Sequence, residues 1–535
     1  PRESARKLHL PVLPEASSYS FSATDTLTLQ WFFTDLSDLY PASLSAGFQA
    51  SSTDITSNMK HHFPFGAALL SAGAASFSLT ACSDKAPQPK NVLFIMVDDM
   101  RPSLGCYGDP YAKTPALDGL ASDASVYTRA YCQQALSGPS RASILTGLRP
   151  EENGVTELNT WIRKKNRNVV TLPQAFKAAG YHTASVGKTF HGNKNTLDTL
   201  SWSQKPELYH YTKSDEYMFA QNKTGQKSVS YEFSSEPEDW YLDMKIRNRA
   251  VQVLDSLACS GEQFFLAVGF LKPHLPFCAP QRFMDMYEDV DFGAIDTSRI
   301  HGAPSLAYHN SNELRGYIDV GDSTIDDVQL KKAYYACTSF ADENIGAMIQ
   351  ELKRLGLYDN TVIVVLGDHG YHTGEQGIWC KSTNYEAACH SPLIIKDAYQ
   401  KKASSVSVPV EFIDIFPTLA QMCGVEAPVE LSGKNLNDLD SRKEYYAFSQ
   451  FPRPYAALHR VSARTHMGYT VRDSRWRYVQ WYDNSGNLVE TELYDMQDSM
   501  LEKENLSGQE ACADVEVRLT SALAKLPKNA NFTAK

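Results

Sequence analysis

The sequence is short of several features that would place it quickly. It has no C-x-x-C pair and no Cys/His ladder, and its ten cysteines are scattered. Neither a zinc module nor a dense disulfide framework is indicated, although one or two disulfides of unreadable pairing stay open. It has no basic excess: 51 Lys and Arg against 62 Asp and Glu leave a net charge of −11. That balance argues against a general nucleic-acid binder, and it obliges any anion site to concentrate its own Lys, Arg, His or metal. No internal repeat is visible, and no low-complexity tract occurs beyond residue 82. What is present is 43% hydrophobic and 11% aromatic residues in 535, ample for a packed core and for about two to four domains.

The N-terminal region differs from the rest. Residues 1–58 are rich in Ser, Thr and Ala and show no period. Met59-Lys60-His61-His62 opens a basic stretch, residues 63–79 form a small-residue apolar run, and Leu79-Thr80-Ala81-Cys82 follows. Charged start, apolar centre and small-residue end follow the order of a secretory signal, and the ending resembles a bacterial lipobox in which Cys82 is lipidated. The run is too short and too rich in Gly, Ala and Ser for a convincing membrane span, and no other segment qualifies. The expectation is an upstream extension over 1–58, a lipoprotein signal peptide over 59–81, and a polar tether over 83–90. The product is an exported bacterial lipoprotein, membrane-anchored at the periplasm or cell surface, with several acyl chains needed for stable anchoring. A weak membrane span or buried core segment over 63–79 is the competing reading.

Continuous apolar runs occupy 91–97 (NVLFIMV), 264–270 (FFLAVGF) and 361–366 (TVIVVL), with a weaker one at 181–186. Such runs suit strands buried on both faces of a parallel sheet. Helical patterns lie between them. In the clearest, residues 330–355, Tyr334, Phe340, Ile345, Met348 and Leu352 make an apolar face and Gly356 a stop. Alternating strands and helices predict an α/β fold with a mostly parallel sheet. Beyond about residue 430, short aromatic segments at 445–451, 468–472, 476–481 and 490–494, with a turn at 483–487, predict an antiparallel sheet, and a helix closes the chain near 515–525.

Each buried run ends in polar residues: Asp98-Asp99, Lys188, His274 and Asp368-His369. In open α/β sheets that edge binds ligands. Adjacent carboxylates repel, so converging them calls for a cation, and oxygen donors suit Ca2+ or Mg2+. Any one of these residues could be a helix cap or loop residue; six groups on four strand ends are hard to explain that way. Ser137-Gly138-Pro139-Ser140-Arg141 reads as a turn entering a helix, with Pro139 suited to a first helical position and Arg141 one turn beyond Ser137. Lys188 and His191, three apart, could both point inward from one turn. Lys381 alone could equally be a surface charge. His61-His62 belongs to the signal. The basic run at 163–167 is read as a solvated helix end or loop ahead of a polyanion contact, and the aromatic stretch at 476–482 as core packing ahead of a sugar subsite.

Six stretches in order then carry a family resemblance: VDDMRPSLGCYGD (97–109), SGPSRASILTG (137–147), GKTFH (187–191), KPHLPF (272–277), GDHGYHTGEQGIWCKSTNYE (367–386) and HSPLII (390–395). They resemble successive motifs of type I sulfatases, most closely the iduronate-2-sulfatase subgroup and its bacterial relatives, over roughly residues 90–511. The resemblance implies an alkaline-phosphatase-like, mostly parallel central sheet flanked by helices (82–430) and a smaller C-terminal antiparallel-sheet domain (431–535). It implies a metal shell of Asp98, Asp99, Asp368 and His369 completed by residue 137, with Ca2+ ahead of Mg2+. Ser137 matches the precursor of formylglycine. Most familiar members carry Cys there, so Ser implies a partner maturing enzyme able to oxidise serine. Arg141 matches the residue stabilising the alkoxide of residue 137, His191 the partner of its hydrate, Lys188 and Lys381 the sulfate-binding lysines, and His274 a general acid on the leaving group. The implied substrate is a sulfated saccharide, with 2-O-sulfated uronic acid favoured. Two other readings stay open: a phosphoesterase or phosphonate hydrolase on the same fold, and a non-catalytic sulfoglycan-binding lipoprotein with Ser137 unmodified.

Overall fold

The computed structural model describes residues 90–309, 311–321, 326–399, 403–427 and 429–526. The upstream extension, the signal peptide, Cys82 and the tether up to residue 89 lie outside the described residues.

Seven strands form the main sheet: β1 (Asn91–Val97), β2 (Ser125–Tyr127), β3 (His182–Gly187), β4 (Phe264–Phe270), β5 (Thr361–Gly367), β6 (Leu393–Lys396) and β7 (Ser404–Val406). Their spatial order is β7-β2-β6-β5-β1-β4-β3. β5, β1, β4 and β3 are mutually parallel, and β6 alone runs the other way, antiparallel to both β5 and β2. The apolar runs are continuous because both faces are covered. Val92, Phe94 and Met96 enter one core with Phe265, Ala267, Val362 and Val364. Leu93, Ile95 and Val97 enter the other with Leu266, Val268, Ile363 and Val365. Strand geometry sends alternate side chains to opposite faces, so each seven-residue run feeds two cores at once. Each such side chain contributes about 1.5–3 kcal/mol on full burial.

Helix α1 (Ser137–Thr146) supplies Ile144 and Leu145 to the first core, whereas α2 (Leu242–Ser260) and α3 (Asp327–Arg354) cover the second. α3 begins where the Asp326 carboxylate accepts the Gln329 N–H at 3.0 Å, and it stops ahead of Gly356, whose φ of +68° continues no helix. Its expected apolar face divides. Ile345, Met348 and Leu352 pack on the sheet, while Tyr334 and Phe340 join Phe277 and Tyr371 in a third cluster. α1 differs from expectation in one detail: Ser137 is its first residue and Pro139 its third. The first four N–H groups of a helix have no internal partner, so proline is tolerated there too.

The C-terminal sheet is an antiparallel meander of β8 (Ala447–Arg453), β9 (His466–Arg472), β10 (Trp476–Asp483) and β11 (Leu488–Asp495). The Asp483 carboxylate accepts the Ser485 and Asn487 N–H groups and so closes the tight turn between β10 and β11. Helix α4 (Ala513–Leu523) lays Leu519, Ala522 and Leu523 on Met467, Tyr469, Val471 and Leu493. Trp481 is fully buried and donates its indole N–H to Glu492 Oε1 at 2.7 Å, in line with core packing of the aromatic stretch.

One register pair on the other face is unfavourable by itself. Arg472 of β9 lies directly opposite Arg477 of β10, and like charges at that spacing repel. Glu386 resolves the conflict. Its carboxylate accepts from Arg472 Nε at 3.1 Å, from Arg477 Nη2, and from Tyr131 Oη at 2.7 Å. Arg477 also meets Glu502 at 3.0 Å and donates to the Asn384 carbonyl at 2.7 Å. Burial opposes ionisation of Glu386, but the two guanidinium groups overcome it and hold its carboxyl well below the ordinary range. Replacing Glu386 by Ala leaves two buried guanidinium groups facing each other. A loss of about 3–5 kcal/mol is expected in chemical denaturation at neutral pH. Because the folded-state pKa is depressed, this contribution is complete above the unfolded value of about 4.3 and declines as pH falls below it. The gap between wild type and Glu386→Ala should therefore shrink in acid. A gap independent of pH from 3 to 7 (roughly the titration range of a carboxylate) would contradict the ionised role.

Candidate active site

The four parallel strands deliver their terminal residues to one edge. β1 ends at Asp98-Asp99, β5 at Asp368-His369, β3 at Lys188, and the loop after β4 carries His274. Two glycines let the chain turn there without a side chain in the way. A Cβ on Gly367 would lie 2.2 Å from Ser391 Oγ and 2.4 Å from the Met100 carbonyl, and one on Gly370 would lie 2.2 Å from the Ala387 carbonyl. Asp368 Oδ1 accepts the Asp99 N–H at 3.1 Å and its neighbour His369 N–H at 3.0 Å, which ties the ends of β1 and β5 together.

Asp98, Asp99, Asp368 and His369 are all fully buried. Ligand atoms of Asp99, Asp368 and His369 lie within 4.8 Å of one another. His369 Nδ1 lies 2.9 Å from the Gly370 carbonyl, a contact that fixes the proton on Nδ1 and leaves the Nε2 lone pair facing inward. That Nε2 lies 3.3 Å from Ser137 Oγ, which also donates to Asp98 Oδ1 at 3.1 Å. Oxygen-rich donors with one neutral imidazole nitrogen fit a hard divalent cation.

Three cations already face these carboxylates. Arg141 donates from Nε to Asp368 Oδ2 at 2.8 Å and from Nη2 to Asp98 Oδ1 at 3.1 Å. Lys188 Nζ bonds Asp98 Oδ2, and Lys381 Nζ bonds both oxygens of Asp99 at 2.9 Å. The two neighbouring aspartates respond in opposite directions. Burial disfavours the charge on Asp98, but Lys188 and Arg141 hold its carboxyl well below the usual range. Burial prevails at Asp99, aided by Asp98 and Glu313 against Lys381, and raises its carboxyl well above that range.

Arg141 lies one turn beyond Ser137 on the same helix, and its fork reaches Asp98, to which Ser137 also donates, and Asp368. Lys188 and His191 do converge on the same charges, but no helical turn joins them; residues 188–191 form bends. His191 Nδ1 is buried without a hydrogen-bond partner, and burial together with Lys188 pushes its pKa down to about 3. His274 Nδ1 bonds the Leu275 carbonyl at 2.6 Å, and its Nε2 stands 3.6 Å from Glu313 and 3.9 Å from Asp99. Burial and Lys381 hold the imidazole well below its ordinary value.

Lys381 is not a surface charge: its side chain is 4% exposed. The residues on either side, Cys380 and Ser382, have φ of +73° and +72°, as Asp99 has +60°. Left-handed backbone at non-glycine residues costs of order 1–3 kcal/mol each, so packing must hold the segment in place. Glu313 is the residue the sequence did not reveal. It bonds Lys381 Nζ and forms a second potential ligand group with Asp99 and His274. It sits in a four-residue helix (Asn312–Arg315) whose cap, Ser311, carries no signal of a site. Glu375 and His372 brace the loop: Glu375 accepts from Arg101 at 2.9 Å and His372 Nε2 contacts Thr383 Oγ1 at 2.9 Å. Replacing Arg141 by Ala would leave Asp98 and Asp368 short of buried countercharge. A stability loss of about 3–5 kcal/mol should appear in urea denaturation, and wild-type stability in that variant would refute the brace.

The chain is similar to known proteins over most of its length. Residues 90–425 match the family model described as Sulfatase, and residues 374–529 match one described as N-sulphoglucosamine sulphohydrolase, C-terminal. The chain is 32% identical to iduronate 2-sulfatase of Homo sapiens, covering 79% of this chain and 92% of that protein. It is 25% identical to N-acetylglucosamine-6-O-sulfatase of Bacteroides thetaiotaomicron, covering 85% and 89%. Among solved structures, a phosphonate monoester hydrolase from Silicibacter pomeroyi superposes with a TM-score of 0.66 at 24% identity over 82% of this chain and 94% of that one, a likeness of fold.

Proposed function

We propose, for a chain that belongs to the sulfatase family and is a sulfuric ester hydrolase, that it acts on a sulfated glycan through formylglycine derived from Ser137. The observation that carries this reading is the convergence of Ser137, Asp98, His369, Lys188 and Lys381 at one sheet edge. A 2-O-sulfated uronic acid is the favoured substrate unit, supported by 32% identity to a protein named for that chemistry. Asp98, Asp99, Asp368 and His369 would hold the metal, Ca2+ ahead of Mg2+, which supplies positive charge beside residue 137. Oxidised and hydrated, residue 137 would supply one oxygen to attack sulfur as the leaving alcohol departs with a proton, and a second hydroxyl whose deprotonation would expel the sulfate and restore the aldehyde.

The chain's own residues do the rest. Lys188 and Lys381 offset the charge on the sulfate oxygens as the S–O bond breaks. Arg141 fixes Asp98 and Asp368 and stabilises the alkoxide of residue 137. The unpartnered Nδ1 of His191 is free for the hydrate. His274, on a side chain 22% exposed with its Nε2 beside Asp99 and Glu313, would give a proton to the leaving oxygen from its doubly protonated form.

Two measurements test this. The first is expression with a maturing enzyme able to oxidise serine, peptide mass at Ser137, then parallel rates on sulfated saccharides, aryl sulfate and aryl phosphate. Loss of two hydrogens at Ser137 and preference for sulfate are expected; a clear preference for phosphate, or activity with serine intact, would overturn the proposal. The second is His274→Ala. Its rate should fall about 10²–10⁴-fold on a saccharide sulfate, a poor leaving group, and far less on nitrophenyl sulfate. Equal losses on both would remove its acid role.

A further inference from the structure

The basic run at 163–167 divides by direction. Arg163 turns inward: Nε and Nη2 bond the two Asp198 oxygens at 2.6 Å, Nη1 the Val169 carbonyl at 2.7 Å, and Nη2 Gln174 at 2.8 Å. That fork holds the segment, and Lys164, Lys165 and Arg167 are left exposed with no ion pair among the described residues. Beside them Lys194, also exposed, lies over the Trp161 ring at 4.1 Å from its centroid.

This patch is tied to the active site by one buried side chain. Asn195 donates to the His191 carbonyl at 3.0 Å and to the Thr160 carbonyl at 3.1 Å, and its Oδ1 accepts the Ile162 N–H at 2.9 Å. His191, a buried ring that feels the charges of Lys188 and Asp98, is thus three residues from Lys194, at most about 11 Å between Cα atoms. On a chain of net charge −11, four unpaired cations and a half-buried indole at the rim of an anion site are a local reversal of sign.

We propose that Trp161, Lys164, Lys165, Arg167 and Lys194 form a subsite for the neighbouring sugars of a polyanionic saccharide, so that the enzyme prefers a sulfated oligosaccharide to a single sulfated sugar. The indole offers an apolar face to a sugar ring, and the cations meet further sulfate or carboxylate groups along the chain. The inference rests on the glycan-sulfatase reading above and extends it beyond the sugar being desulfated.

The test compares a sulfated glycosaminoglycan tetrasaccharide with nitrophenyl sulfate. In the combined variant Lys164→Glu, Lys165→Glu, Arg167→Glu, and separately in Lys194→Glu, kcat/KM on the tetrasaccharide should fall about tenfold more than on nitrophenyl sulfate, chiefly through KM. The wild-type rate on the tetrasaccharide should also fall more steeply with added NaCl than that of the variants. Equal losses on both substrates, or no loss on either, would overturn the subsite. If the matured enzyme desulfates neither compound, the glycan-sulfatase reading fails on its own. Calorimetric binding of the tetrasaccharide to Ser137→Ala then decides the surface: binding weakened about tenfold by the same charge reversals supports it, and binding unaffected by them refutes it.

Discussion

Three carboxylates brought together in a buried site repel one another and lose hydration as well, and the arrangement of this protein follows from meeting that cost. Asp98, Asp99 and Asp368 sit at the ends of two adjacent parallel strands because those strands are held in register along their whole length. Their countercharges cannot come from the same strands. Arg141 arrives on a helix, Lys188 from a strand two positions away, and Lys381 from a segment forced into left-handed backbone on both sides. Each brings one positive charge into a place where it would be expensive alone. The opposite behaviour of Asp98 and Asp99 shows that the balance is local: Asp98 has Arg141 as well as a lysine, whereas Asp99 has a lysine opposed by Asp98 and Glu313.

Much of this was legible from the residues in order. A strand buried on both faces has no polar position to spare, so NVLFIMV and TVIVVL announce themselves, and the polar residues that end them mark the functional edge. The helix ending before Gly356 and the four short strands beyond residue 430 were readable for the same reason: periodicity reports burial. Strand direction does not report itself that way. Leu393–Lys396 is as apolar as its neighbours, yet it runs antiparallel to them. Glu313 was invisible because a single carboxylate in a four-residue helix carries no pattern; its role comes from where Lys381 ends up. Arg163 was misleading in the other direction. Within a run of basic residues it looks solvated, and only the fold reveals that Asp198, 35 residues on, receives it.

The C-terminal sheet is joined to this economy of charge. Its strands bring Arg472 and Arg477 face to face, which is tolerable only with Glu386 between them. Glu386 lies five residues beyond Lys381, in the stretch that also holds Asn384 against Arg477 and Gly468. The position of a lysine in the site is therefore partly set by a sheet that contributes no residue to the carboxylate cluster among the described residues.

That dependence bears on modularity. A segment that merely caps a core can be exchanged among relatives as a block, since any surface of matching shape will serve. Here the border carries unpaired charge on each side if it is cut. An ancestral swap, a truncation or a chimera with a breakpoint between Tyr385 and Arg472 must keep Glu386 together with both arginines, or strand three ionic groups in a dry interior. The two regions are consequently coupled through buried charge, and loops outside that junction carry no such constraint.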